Sequence, residues 1–395
     1  MALQINHRIL MVVYSDYPGD VRVRREAEAL VENGYRVDVL CLRRGTQSAT
    51  ENVRGVCVFR INMEHKRGGK IRYIWNYTYF FLRVMLKSAK LFQQHRYAII
   101  HTHNMPEFLV FAQLPQKMRG AKLVVDLHDP MPEVFMSKFN KPDNHSLIRF
   151  LRMLERRSIR FVDAVITTNI AFLELFVSRG CPRNKIRLVM NSPQESVFTI
   201  PDNNRTPGNN SFTIMYHGTI TERYGLDTAV AAMPEILKKI PTAELHVYND
   251  GEFRMEVEKQ VSELGLQSSV IFHGRLPLEE IAAIIPTIQV GVVPNHRDAF
   301  TEINLPTRIF EYLCLGRPAV APRTRGILDY FDDKSLHLFE PDDAADLARV
   351  VINIHDSPQQ AAATLAAGIK VYEQYTWQKQ KQNLLQLVTQ LIDPQ

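Results

Sequence analysis

The chain has 395 residues, of which 45% are hydrophobic and 23% charged, with a net charge of +6. These are the proportions of a globular protein rather than a disordered tract, and the length exceeds one ordinary core, so two domains are expected. The four cysteines, Cys41, Cys57, Cys181 and Cys314, have neither C-x-x-C nor zinc-finger spacing; they read as buried or incidental thiols in a reducing compartment.

In chain order, residues 8–15 read as an apolar strand. Its apolar run of about six residues is shorter than the ~7–15 of a signal-peptide core. No segment approaches the roughly 20 apolar residues of a membrane span, so a cytoplasmic protein is expected. The turn Tyr17-Pro18-Gly19-Asp20 leads into a helix over 21–33, ended by Gly34, and a strand over 36–42. Further short strands fall at 98–101 and 122–127. Strand–helix–strand units with short loops imply a parallel sheet covered on both faces, with ligands at the carboxyl ends of its strands. Gly19 and His128 each follow such a strand. His101, His103 and Asn104 form another polar group at a strand end. His-x-His has no Asp or Glu beside it in sequence, so the group reads as pocket lining and no metal is expected.

Residues 201–210, PDNNRTPGNN, have the composition of a linker. The strand–helix pattern then restarts, with strands at 212–217, 244–248, 270–273 and 289–293 and a helix over 225–239. Within INLPTRIFEYLCLGRPAVAP, Pro306 suits the first turn of a helix. Ile309, Phe310, Leu313 and Cys314 share one face, and 319–321 reads as a buried strand. Such a helix start attracts anions, phosphate above all, and Glu311 stands just beyond it among apolar neighbours. Residues 375–393 should form a closing helix, with Trp377, Leu384, Leu385, Leu387 and Leu391 as its anchors.

The charge is unevenly placed. Residues 1–200 carry 31 Lys+Arg against 17 Asp+Glu, and 201–395 carry 17 against 25. A basic first half faces either a polyanion or an anionic membrane, or simply solvent. Within it, Lys66, Arg67, Lys70, Arg72, Arg83, Lys87 and Lys90 frame Tyr73, Trp75, Tyr77, Tyr79, Phe80 and Phe81. That pattern fits a membrane-surface helix, and a core helix with a basic solvent face reads almost the same.

Six motifs, in order, resemble one family. YPGDVRVRREAEALVENGYRVDVLC, VVDLHDPMPE, VMNSPQESVF, MYHGTITERYGLDTAVAAM, VYNDGEF and LPTRIFEYLCLGRPAVA are similar to segments of the group 1 glycosyltransferases, retaining enzymes of GT-B fold that use nucleotide sugars. The resemblance implies an α/β architecture of two doubly wound, Rossmann-like domains facing across a cleft, divided as 1–200 and 201–374, with 375–395 crossing back. It implies that Glu311 binds the ribose hydroxyls of the donor. The companion Glu of the family's E-x7-E motif is replaced by Ile303, and its contact to the sugar falls to Glu302, to Asn304, or to backbone amides at Leu305 and Thr307. Two cationic positions in GTITERYG hold Thr219 and Tyr224 instead. Arg223 and Arg308 are then the phosphate ligands, or else surface partners of Glu222 and Glu302. Gly19, Asn191, Gly218 and Pro306 complete the donor side by resemblance, Gly19 meeting either the diphosphate or the acceptor or acting as a plain turn. His128 touches the donor sugar or the acceptor, with Asp129 orienting it or capping the turn before Pro130, and His103 lines the acceptor side. Catalysis is thus assigned to His128, Arg223 and Glu311, with a nucleotide sugar as substrate and no cofactor, metal or nucleic acid. The expected acceptor is a lipid-linked glycan at an anionic membrane, in surface polysaccharide synthesis. The alternatives are a soluble acceptor, a nucleotide-sugar epimerase, or an inactive nucleotide-sugar-binding subunit.

Overall fold

A computed structural model describes residues 7–63, 70–199 and 211–393, with backbone only at 70–74. The chain forms two compact units, Met1–Met190 with Gln380–Gln395, and Asn191–Lys379.

The first unit is built on an eight-stranded sheet. Its strands are β1 (Arg8–Asp16), β2 (Arg36–Leu42), β3 (Thr50–Val53), β4 (Val56–Ile61), β5 (Ile99–His103), β6 (Lys122–Leu127), β7 (Ala164–Thr167) and β8 (Ile186–Leu188), in the order β3-β4-β2-β1-β5-β6-β7-β8. All neighbours are parallel except the β3–β4 hairpin. Ile9, Leu10, Met11 and Val12 are at most 1% exposed, as a central strand buried on both faces requires. Asp20 caps the helix Val21–Glu32, its side chain accepting from the Arg22 amide at 3.2 Å, which satisfies one free donor of the first turn.

The second unit holds β9 (Phe212–His217), β10 (Ala243–Tyr248), β11 (Val270–Gly274), β12 (Val290–Val292), β13 (Ala319–Pro322) and β14 (His337–Phe339). They form a parallel sheet in the order β11-β10-β9-β12-β13-β14. Both sheets step outward from a central strand in each direction, the doubly wound pattern that leaves crevices at carboxyl ends.

The chain leaves the first unit ten residues before the expected boundary, at Met190, and returns at Gln380 rather than 375. The reason is local pairing. Ser192 Oγ donates to the Tyr375 carbonyl and Glu195 accepts from the Gln378 amide at 3.0 Å, holding 191–199 to the second unit. Gln380 in turn accepts from the Met190 amide at 3.0 Å. The closing helix is Trp377–Ile392; Leu384 and Leu387 are buried, and Lys381 pairs with Glu32 at 2.5 Å. The tract 201–210 lies outside the described residues.

Candidate active site

In the second unit the site grows from the carboxyl end of β9. His217, 6% exposed, is its last residue. Tyr312 donates its hydroxyl proton to the Met215 carbonyl at 2.9 Å, so the His217 Nδ1–H, 2.8 Å away, donates to that hydroxyl. Nε2 faces Glu311 Oε2 at 2.6 Å. Glu311 is thereby anchored through one oxygen on the helix Thr307–Cys314, with its side chain 12% exposed. A carboxylate held in this way keeps acceptor capacity for a pair of hydroxyls.

Arg308, three residues earlier on the same helix, donates from Nη1 to the His217 carbonyl at 2.8 Å and from Nη2 to Asn295 Oδ1 at 3.1 Å. Its guanidinium carbon lies 5.0 Å from the Tyr216 ring centre and 5.5 Å from that of Tyr224. Two of five donors are therefore committed to the framework, and the others remain for an anion. Gly218 makes this fit possible. Its φ is +135°, and a Cβ there would come within 2.9 Å of Arg308 Nη1, a conformation and a clearance that only glycine tolerates. Pro306 caps the helix without a side-chain hydrogen bond.

Arg308 is not a partner of Glu302. That carboxylate accepts from Arg297 Nε at 2.9 Å and from the Arg325 amide at 3.2 Å, so it is engaged away from the position that Ile303 occupies. The Gly326 amide donates to the Glu302 carbonyl at 2.8 Å, and a Cβ on Gly326 would meet the Asn304 carbonyl at 2.5 Å. The loop 302–305 is thus clamped onto the turn at 324–326. Arg223 makes no side-chain ion pair among the described residues, with Glu222 or any other. It is partly exposed, 5.7 Å from the Phe300 ring centre. Its carbonyl accepts from the His296 amide at 3.1 Å. The His296 ring bridges Asp227 (Nε2–Oδ1 2.9 Å) and Asp342 (Nδ1–Oδ1 2.5 Å). Hydrogen bonds donated by the ring to the two carboxylates outweigh burial and raise its pKa to about 9.

In the first unit, His128 is 6% exposed just past β6. The carboxylate beside it is Asp126, with Oδ2 at 3.5 Å from Nδ1. At that distance the contact is an electrostatic one, since His128 Nδ1 is buried without a hydrogen-bond partner; the carbonyl of Asp129 accepts from Asn104 Nδ2 at 2.7 Å. The helix that follows, Met131–Phe139, has Pro130 as its N-cap without a side-chain bond. Asp126 Oδ2 also meets His103 Nδ1 at 3.0 Å. Burial opposes ionisation of Asp126, but contacts with His103 and His128 hold its pKa well below the usual carboxylate range. Behind it, Glu26 is pushed well above that range by burial and then by the charge of Asp126. Burial and then His103 hold the His101 ring well below its usual value. A Cβ on Gly19 would lie 2.1 Å from Asp16 Oδ2, so a larger residue there would displace the Asp16 carboxylate.

Sequence reasoning missed His217, Asn295, His296, Glu26 and Asp126. His217 and Asp126 sit at strand ends like His128, a signal open to the same reading. Asn191, expected at the end of the first half, is the first residue of the second unit.

Two family models match the chain. Residues 19–192 match a glycosyl transferase 4-like domain and residues 211–357 match glycosyl transferases group 1. The fold is shared with sucrose-phosphate synthase from Thermosynechococcus elongatus, at a TM-score of 0.80 and 19% identity over 98% of this chain and 99% of that one. The chain is a glycosyltransferase of GT-B fold. More narrowly, it belongs to the group 1 glycosyltransferases, with a 4-like domain preceding the group 1 domain. An uncharacterized glycosyltransferase of Methanocaldococcus jannaschii is 24% identical over 77% of this chain and 76% of its own length. The GDP-mannose-dependent alpha-(1-6)-phosphatidylinositol monomannoside mannosyltransferase of Mycolicibacterium smegmatis is 25% identical over 43% of this chain and 46% of its own length.

Proposed function

We propose that this glycosyltransferase moves a sugar, with retention of configuration, from a nucleoside-diphosphate donor to a lipid-linked glycan in surface polysaccharide synthesis. The donor half of this reading is carried by Glu311, a carboxylate fixed through one oxygen to His217 beside the Arg308 framework. It takes the ribose hydroxyls. As the diphosphate leaves it gains charge, and preorganised donors aimed at that charge lower the barrier most. Arg223, Arg308 and the amides at the helix start after Pro306 supply them, so the reading assigns no metal or cofactor to the diphosphate. Gly218 leaves room for the approach, and Asn304, Leu305 and Thr307 line the sugar side, with Asn191 and Gly19 kept as donor contacts. In the first unit His128, with His103 and Asp129 nearby, serves the sugar or the acceptor.

The lipid-linked acceptor is supported by the helix Lys70–His95. Trp75, Leu82 and Leu86 are 68%, 47% and 66% exposed along one stripe, beside exposed Arg83 and Lys90. Apolar and basic residues side by side suit the boundary of an anionic bilayer. The aromatics divide: Phe80 is fully buried, and Tyr77 packs edge-on against Tyr14 at 5.0 Å, so these two serve the core. Lys66 and Arg67 lie outside the described residues, as do the side chains of Lys70, Arg72 and Tyr73. No described helix is long and apolar enough to cross a membrane. The mannosyltransferase relative, by its name, uses a nucleotide sugar and a phosphatidylinositol glycoside.

The test is incubation with a panel of nucleotide sugars, with and without anionic vesicles carrying a polyprenyl-diphosphate-linked glycan, followed by quantification of released nucleotide and extended lipid. Vesicle-dependent nucleotide release with a lengthened glycan supports the reading. Equal release with a soluble sugar, an epimerised donor, or tight binding without turnover would each refute it in favour of a named alternative.

A further inference from the structure

Beside His128 the fold assembles a set of donors that the sequence disperses. His101 and His103 are two apart on β5, so both project to one side of the sheet, and their rings lie 4.2 Å apart. The carboxylates absent from the His-x-His neighbourhood in sequence arrive from elsewhere. Asp126 is the register partner of His103 on β6, and Glu26 comes from the helix Val21–Glu32. Each of the four offers a ligand atom, and these atoms all lie within 4.8 Å of one another.

We propose that Glu26, His101, His103 and Asp126 hold one divalent first-row transition-metal cation in a structural site. All four residues are at most 3% exposed. Glu26 Oε2, His101 Nε2, His103 Nε2 and Asp126 Oδ1 are buried without a hydrogen-bond partner. Four orphaned acceptors or ring nitrogens in one pocket are rare in a folded protein, because each has lost its water without replacement. A cation bound through one atom of each residue would supply the partner that each side chain lacks. Ligand bonds of about 2.0–2.2 Å place neighbouring donors roughly 3.4 Å apart in a tetrahedron and opposite donors roughly 4.2 Å apart in an octahedron. With the donors within 4.8 Å of one another, the widest pair closes by up to roughly 0.6 Å to stand opposite in an octahedron and by up to roughly 1.4 Å in a tetrahedron. Two imidazoles with two carboxylates suit zinc, manganese or iron rather than magnesium or calcium, which favour oxygen alone.

The surroundings carry the right sign. Asp20 and Asp129 add negative charge to the two carboxylates, and the guanidinium groups of Arg22 and Arg25 partly offset it. Four protein donors and full burial make a closed site, which binds as the chain folds and ties helix to sheet. Asp126 then has two tasks. One oxygen lacks a partner, while Oδ2 faces His103 and His128, so the cation fixes the carboxylate that stands beside His128, as ligand-shell hydrogen bonds do elsewhere.

The experiment grows the full chain in minimal medium supplemented with Zn²⁺, Mn²⁺ or Co²⁺, passes it through gel filtration with EDTA, and counts metal by elemental analysis. About one equivalent per chain is expected, with visible d–d bands for the Co²⁺ form. Glu26→Gln and His101→Asn, checked for folding by gel filtration and circular dichroism, should retain less than a fifth of it. Folded wild-type protein with below a tenth of an equivalent in every medium, and a melting temperature indifferent to each metal, would overturn the site. So would metal retained in full by both variants. Neither outcome touches the transferase reading, which is scored on nucleotide release.

Discussion

His296 gives the second unit a defined response to pH. Its ring joins Asp227 at the start of the helix Leu226–Lys239 to Asp342 on the approach to the helix Ala344–Asp356, and its amide holds the Arg223 carbonyl. An unperturbed histidine titrates near ~6.5, and here the pKa is about 9. The folded state therefore binds the proton more tightly than the unfolded chain. The resulting stabilisation is fully present below about pH 6.5 and is lost as pH rises through 9. At roughly 1.4 kcal/mol per unit the ceiling is about 3 kcal/mol. The ring is 25% exposed and its partners 31% and 48%, so solvent screening reduces this to about 1–2 kcal/mol. For a unit of this size that is about 3–6 °C in melting temperature. His296→Gln keeps a hydrogen-bonding side chain but not the charge. Thermal unfolding of both proteins from pH 6 to 10 should show a gap of that size at pH 6–7, closing by pH 10. A gap that is flat across the range, or wider at high pH, would refute the assignment of charge to this bridge.

Glu311→Gln should leave the fold intact and weaken nucleotide binding by about 1–3 kcal/mol, the worth of a hydrogen bond to a charged group; calorimetry with a nucleotide panel measures it, and unchanged affinity for all would make Glu311 structural. His128→Ala should lower turnover at least roughly tenfold with little effect on nucleotide affinity, whereas Arg223→Ala should impair both; steady-state kinetics beside equilibrium binding separates the two patterns. Gly218→Ala should cost about 1–3 kcal/mol through backbone strain at a positive φ and also weaken nucleotide binding by displacing Arg308, which thermal unfolding and calorimetry together report.

Much of the fold was legible because a buried parallel strand announces itself as a short apolar run. β1, β2, β6, β9 and β10 lie within a residue or so of their expected bounds. β7, β8 and β14 are three or four residues long, too short for periodicity to show. The hairpin of β3 and β4 turns at Arg54-Gly55, both with positive φ, on a sheet edge whose mixed burial weakens the apolar pattern. β5 extends two residues beyond expectation, and those two residues carry His103 into the sheet. The boundary at Met190 was hidden for a different reason. Composition marks 201–210 as polar, but what holds 191–199 to the second unit is a pair of hydrogen bonds to Tyr375 and Gln378, and sequence separation of that length leaves no local trace.

The candidate site divides along the same line. Single residues with chemical potential were visible, since His128 and Glu311 stand at a strand end and beside a helix start, where ligands collect. Their partners were not. Asp129 neighbours His128 in sequence, yet the carboxylate beside the ring is that of Asp126, two residues back near the end of β6. Glu302 neighbours the gap at Ile303, yet its carboxylate is occupied by Arg297 and the Arg325 amide. Arg308 read as a phosphate ligand or else a surface partner of Glu302, and it ties the β9 carbonyl to Asn295, while Arg223 makes no side-chain ion pair among the described residues. The His-x-His pair was set aside for want of carboxylates, and the fold delivers two, from a helix some 75 residues earlier and a strand 23 residues later. Adjacency in the chain nominates the residue that does the chemistry, but it is the sheet register and the helix packed upon it that choose its partner.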